Sequence, residues 1–161
     1  TGLSTEKLRE WTSRRALVPA DVRPRQKGSP AKFSWQTVLI LRIAFLLRAQ
    51  FSLELEAHKA SFASLRKELR TTSFIGLWGR RLALSSDGAW TLVDPGAPAP
   101  DVDALLIRLD PHLTVLRDGF ALPDVAAARG QLDLFSLPAV HRKGPSGRSV
   151  RPVVAGRRRS V

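Results

Sequence analysis

The chain contains no cysteine, and only three of its 161 residues are histidine. The absence of cysteine excludes disulfides, thiolate catalysis and zinc sites built on cysteine. His58, His112 and His141 are separated in the sequence and form no spacing typical of a metal site. We therefore expect neither a metal nor another cofactor.

Long apolar segments are also missing. The longest apolar run, Val38 to Leu47, is interrupted by Arg42 and is too short to cross a bilayer. No cleavable signal sequence is visible. These absences predict a soluble, cytoplasmic protein with no membrane partner.

Positive charge is in excess and is unevenly distributed. The 26 Lys and Arg residues outnumber the 14 acidic residues, which gives a net charge of +12. Residues 1–33 hold eight basic and three acidic side chains, whereas residues 71–140 hold five basic and eight acidic ones. Such an excess favours a polyanionic partner, and nucleic acid fits the basic N-terminal segment.

The last segment, residues 141–161, adds seven basic residues and no acidic one. Gly, Pro and Ser separate these charges, so the segment has little apolar surface to bury. We predict a disordered basic tail. It is either a solvated terminus or a second contact to DNA phosphates, and the sequence leaves both open.

The first residues have the pattern of a capped helix. Ser4 can cap it, and Leu8 and Trp11 form one apolar face three residues apart. Arg9 and Arg14 lie off that face. A short exposed helix that carries arginines can enter a major groove, where its N-terminal side chains reach base edges.

A basic loop follows this helix. The stretch from Pro24 to Pro30 is punctuated by Pro and Gly and is predicted to be extended rather than helical. A basic loop beside a recognition helix can follow the DNA backbone or enter the minor groove.

The pattern TGLSTEKLREW…ALVPADVRPR…KFSW resembles the MerR family of bacterial regulators over roughly residues 1–70. Leu8, Arg9 and Trp11 match the Leu-Arg-aromatic core of the recognition helix, and Leu17-Val18-Pro19 matches the exit from it. The sequence departs from the family where Ala16 or Arg15 replaces a glycine, and the helix before the turn is expected upstream of Thr1.

The resemblance implies a winged helix-turn-helix that binds double-stranded DNA as a homodimer. The recognition helix would lie in the major groove and the wing on the backbone. The DNA-binding residues that we predict are Ser4, Thr5, Lys7, Arg9, Arg14, Arg15, Arg23, Arg25, Lys27 and Lys32. For Arg9 the alternative is a surface salt bridge to Glu6 or Glu10, and for Trp11 core packing is favoured.

The rest of the chain predicts an α+β protein in three parts. Residues 1–70 form the winged helix-turn-helix, with helices over Ser34–Gln50 and Ser52–Arg70. Residues 71–140 form a small α+β module for dimerisation or partner binding, and residues 141–161 form the tail. In the module, Arg81–Leu84 and Ala89–Val93 flank a Gly-containing turn and predict a β-hairpin. Residues 102–109 fit either a strand or a helix.

One short motif, Leu109-Asp110-Pro111-His112-Leu113, invites a catalytic interpretation. A single Asp-Pro-His is more often a capped turn, and no nucleophile, paired acid or phosphate cradle accompanies it. We therefore predict that the protein is not an enzyme. The sequence favours a nucleoid-associated, sequence-specific transcriptional regulator; the alternatives are an architectural, excisionase-type or partition-type DNA-binding protein and, less favoured, a basic RNA-associated protein.

Overall fold

The fold, seen in a computed structural model, is described for residues 2–24, 26 and 29–123. Arg25, Lys27 and the predicted basic tail lie outside the described residues. The described part is α+β, as predicted, with four α-helices and one three-stranded antiparallel sheet. The helices are α1 (Thr5–Arg9), α2 (Trp35–Phe51), α3 (Lys59–Thr71) and α4 (Asp110–Phe120), and the strands are β1 (Arg81–Ser85), β2 (Trp90–Val93) and β3 (Ala104–Arg108).

Helix α2 lies at the centre of the molecule. Its predicted cap is confirmed, because the Ser34 hydroxyl accepts a hydrogen bond from the backbone N–H of Thr37 at 3.3 Å. The helix is apolar around much of its circumference, and its buried residues are Thr37, Leu39, Ile40, Leu41, Ile43, Ala44 and Leu47. Neighbouring elements cover it on several sides, as that composition predicts.

The predicted start of the next helix, at Ser52, is wrong. Ser52 has a left-handed backbone with φ of 54°, and its N–H bonds to the carbonyl of Leu47, so that it ends α2. A 3₁₀ turn over Leu55–His58 then leads into α3. The apolar face of α3 is confirmed, because Phe62, Leu65 and Leu69 are buried at helical spacing.

The predicted β-hairpin is confirmed. Strands β1 and β2 pair in antiparallel fashion, with Leu84 opposite Trp90. Strand β3 pairs with the other edge of β1, which resolves residues 104–108 as a strand and gives the order β2-β1-β3. Gly88, in the turn that joins β1 to β2, has φ of 85°, a conformation that favours glycine.

The buried apolar side chains form one continuous core. It runs from Trp11 near the N-terminus through α2 and α3 to Leu113 and Leu116 of α4. Side chains from both sides of residue 70 share this core, and the predicted division of the chain at that residue stays a prediction. Among the described residues, no helix has both the length and the apolarity needed to cross a membrane.

Candidate nucleic-acid interface

The predicted recognition helix is built by a cap and a widened second turn. The Ser4 hydroxyl accepts a hydrogen bond from the N–H of Lys7 at 3.3 Å, and α1 follows. From Glu10 to Arg14 the helix widens to a π-type turn, in which the N–H of Arg15 donates to the carbonyl of Glu10 at 2.8 Å. Ser4 is thus an N-cap whose hydroxyl is engaged by the helix itself.

Trp11 anchors this helix to the core. The side chain is only 3% exposed, which confirms that it packs in the core. The chain leaves the helix at Ala16, whose φ is 49°, and the N–H of Leu17 returns to the Trp11 carbonyl at 2.8 Å. Glycine adopts such a left-handed backbone without strain, and Ala16 is one of the two candidates, with Arg15, for the residue that replaces a glycine of the resembled family.

The predicted wing is a loop closed at its base by an antiparallel bridge. Val22 and Lys32 exchange backbone hydrogen bonds of 3.2 and 3.1 Å. The N–H of Asp21 also donates to the Lys32 carbonyl at 3.1 Å. The bridge therefore holds the two ends of the Val22–Lys32 loop together directly before the cap of α2.

A partly exposed ion pair holds the base of this loop. One Asp21 carboxylate oxygen accepts from the N–H of Ser34 at 2.7 Å, and the other accepts from Arg66 of α3 at 2.5 Å. Arg66 also donates to the carbonyl of Pro19 at 2.8 Å. Burial raises the pKa of Asp21, but the hydrogen bonds from Ser34, Thr37 and Arg66 outweigh it and hold that pKa at about 2.

Sequence reasoning missed Asp21 and Arg66. The available signal was that Asp21 is the only acidic residue between Glu10 and Glu54, in a strongly basic stretch. A lone carboxylate among so many cations is a candidate for a structural ion pair. The partner of Asp21 could not be predicted from the sequence, because Arg66 lies 45 positions away in the chain.

A cleft of about 640 Å³ separates the helix from the loop. Thr5, Arg9 and Arg14 line it on the helix side, and Pro24, Gln26 and Ser29 are among the residues that line it on the loop side. Leu8, Thr12 and Phe33 also line it. The two elements that the sequence assigned to DNA thus face one shared opening.

The predicted basic residues differ in their surroundings. Arg15 forms a salt bridge of 2.8 Å to Glu10, which partly neutralises it. Of the predicted basic residues that the structure describes, five are exposed and make no salt bridge to a described residue: Lys7, Arg9, Arg14, Arg23 and Lys32. Arg9 therefore does not form the alternative pair with Glu6 or Glu10.

The structure does not bring all of these residues to the cleft. Lys7 and Arg15 line a separate depression together with Glu10 and Glu54. Arg23 and Lys32 are exposed but lie outside the lining of the cleft. The cleft itself therefore combines Thr5, Arg9 and Arg14 with the polar loop residues.

The motif at Asp110 has a structural role. The Asp110 carboxylate accepts a hydrogen bond from the N–H of Gly79 at 2.8 Å and opens α4, with Pro111 in its first turn. Among the described residues, no group of acidic and histidine side chains has a metal-binding arrangement.

No protein-family model, curated protein or solved structure matches the chain.

Proposed function

We propose that the chain is a non-enzymatic protein that binds double-stranded DNA, with a winged helix-turn-helix in its N-terminal part. One observation carries this proposal: exposed arginines without ion-pair partners among the described residues, Arg9 and Arg14, line a cleft whose other side is lined by residues of the Val22–Lys32 loop. A surface salt-bridge network would have neutralised these side chains. Here they are free to meet phosphates or base edges.

The dimensions of the helix suit a major groove. Thr5–Arg9 and Glu10–Arg14 form one continuous helical segment, and a helix with its side chains is about 10–12 Å across. The groove is about 12 Å wide. We assign base contacts to Arg9 and Arg14, because the planar guanidinium can donate two hydrogen bonds to guanine. Thr5, on the same wall of the cleft, is placed to contact the backbone or a base edge.

The loop supplies phosphate contacts. Arg23 and Lys32 are exposed at its two arms, and the Asp21–Arg66 pair fixes its base. Such contacts set register and affinity but carry no sequence information. We propose that the protein acts as a homodimeric transcriptional regulator on an inverted repeat, with the tail as a further phosphate contact.

Selection of bound fragments from a random duplex library tests this proposal. We expect enrichment of a specific sequence by the full chain. Arg9→Ala and Arg14→Ala should each weaken binding to the selected site by about 1–3 kcal/mol and relax the preference at one base pair. Arg108→Ala is the matched control, because Arg108 is an exposed arginine of β3 that does not line the cleft.

The salt dependence of binding separates the roles of helix and loop. Arg23→Ala should weaken binding to selected and unselected duplexes equally and reduce the slope of log K against log salt by about 1. Binding without any enriched sequence would refute the regulator and favour an architectural protein. If the Arg108→Ala control loses as much affinity as Arg9→Ala, the interface is wrongly assigned.

A further inference from the structure

Arg42 interrupts the otherwise apolar centre of α2. It lies between the buried residues Leu41 and Ile43, and its Nε is buried. Within the described ranges, no carboxylate and no hydrogen-bond acceptor engages the Arg42 guanidinium. A half-buried cation without a counter-ion lowers the stability of a folded protein. A role in binding would explain why an arginine occupies this position.

His112 of α4 lies near this cation. The residue is 8% exposed, and its Nδ1 is buried and has no hydrogen-bond partner in the described part of the chain. Burial lowers the pKa of His112, and the positive charge of Arg42 lowers it further. The imidazole is therefore neutral at pH 7 and offers one N–H donor.

Both side chains line one cavity of about 230 Å³. Arg42, Phe45, Leu46 and Ala49 recur at positions i, i+3, i+4 and i+7, so they form one face of α2. Gly2 lines the cavity as well, and a Cβ atom on Gly2 would lie 3.4 Å from the Phe45 ring. The cavity thus combines one cation and one neutral imidazole with an apolar wall.

We propose that this cavity binds a small organic carboxylate, with its oxygens on Arg42 and His112 and its apolar body against Phe45 and Leu46. The guanidinium fork matches the two oxygens of a carboxylate. A single positive charge balances a monoanion, whereas a phosphate dianion would bring excess negative charge beside an apolar wall. The volume limits the ligand to a small molecule.

The competing explanation is that Arg42 is only a long side chain whose head group reaches water. The two explanations differ in what a ligand does. A ligand site predicts saturable binding of a carboxylate that depends on the guanidinium. A side chain that merely reaches solvent predicts no such binding. This inference does not depend on the proposed function, because its test contains no DNA.

Titration of the full chain with benzoate tests the proposal. Benzamide is the uncharged probe of the same shape, and inorganic phosphate is the anion without an apolar body. We expect benzoate to bind at least about tenfold more tightly than either, as measured by calorimetry. The ¹⁵N signal of the Arg42 Nε should shift on addition of benzoate and stay in place with benzamide.

Two substitutions of Arg42 test whether benzoate binding depends on its guanidinium group. Arg42→Leu should weaken benzoate binding by more than about tenfold, and Arg42→Lys, which keeps the charge but loses the fork, should also weaken it. Arg48→Leu is the control, because Arg48 belongs to the same helix but is exposed and pairs with Glu54. Removal of this half-buried charge should leave the midpoint of thermal unfolding unchanged or raise it.

Three results would overturn the proposal. One is the absence of benzoate binding at about 10 mM, well above a millimolar dissociation constant. Another is binding that Arg42→Leu and Arg42→Lys leave unchanged. The third is binding of benzamide or of inorganic phosphate as tight as that of benzoate, which would show that the cavity does not select a carboxylate with an apolar body.

Discussion

Asp21 is the carboxylate on which the base of the Val22–Lys32 loop depends. It receives hydrogen bonds from the Ser34 N–H and from Arg66, and its side chain is 23% exposed. Because Arg66 also holds the Pro19 carbonyl, one arginine of α3 fixes both the exit of the predicted recognition helix and the start of the loop. The pair therefore contributes to the relative placement of the two elements that we propose to bind DNA.

We expect Asp21→Asn to lower the free energy of unfolding by about 1 kcal/mol at pH 7, a value reduced for solvent screening. The pKa of Asp21 is lowered from 3.8 to about 2 in the folded protein. A lowered folded pKa stabilises the protein above pH 3.8, and that contribution is lost as pH falls through about 2. The stability difference between wild type and variant should therefore shrink between these pH values, as urea unfolding can measure.

Asp101→Asn is the control for this experiment, because Asp101 is an exposed carboxylate in the connection before β3. Its removal should change stability by less than about 0.5 kcal/mol. An Asp21→Asn protein that is as stable as the Asp101→Asn protein at pH 7 would contradict the role given to the Asp21–Arg66 pair.

At the scale of elements, the hairpin turn contacts helix α3 through its glycine. Gly88 has φ of 85°, and a Cβ atom there would lie 2.9 Å from the Ser61 hydroxyl of α3. Gly96, in the connection between β2 and β3, has a similar φ of 77° but no neighbour within 4 Å of such an atom. Both glycines have a left-handed backbone that would strain an alanine, but only Gly88 has a close neighbour at the position of the added Cβ.

We expect Gly96→Ala to cost about 1 kcal/mol of stability, from the left-handed backbone alone. Gly88→Ala should cost about 1 kcal/mol more, because the new methyl group displaces the Ser61 hydroxyl. Chemical unfolding of both variants measures the difference. In the Gly88→Ala background, Ser61→Ala should recover part of the extra loss, and a double-mutant cycle without any coupling would refute the contact.

Elements with local signals were predictable from the sequence, and those set by distant contacts were not. The Ser34 cap and the Gly88 hairpin turn are local, and both are confirmed. The start of α3 was predicted wrongly because a serine such as Ser52 is typical of a helix N-cap. In the structure, Ser52 instead has the left-handed backbone that ends α2.

The same distinction applies to the candidate site. The exposure of Arg9 and Arg14 followed from periodicity, because Trp11 identifies the buried face. The cleft and the Asp21–Arg66 pair required the fold, since they join residues of three elements that are remote in sequence. The pairing of Arg15 with Glu10 was likewise missed, because it needs the widened turn of Glu10–Arg14.

At the scale of the whole molecule, α4 connects the C-terminal sheet region to the N-terminal helices. Leu113 and Leu116 of α4 belong to the same buried cluster as Leu41 of α2 and Leu82 of β1. Two units that fold independently would each bury a core of their own. A shared core instead predicts that the described part of the chain unfolds in one cooperative step.

Leu113→Ala tests this cooperativity, since Leu113 has no exposed surface and its truncation should cost about 3 kcal/mol. If the molecule unfolds as one unit, the slowest amide hydrogens in α2 and in β1 should exchange faster by the same factor, about a hundredfold. Val115→Ala, on the same helix but 46% exposed, should leave both rates nearly unchanged. Faster exchange in β1 with unchanged exchange in α2 would show instead that the chain divides near residue 70, so that the helices before that residue could be studied without the sheet.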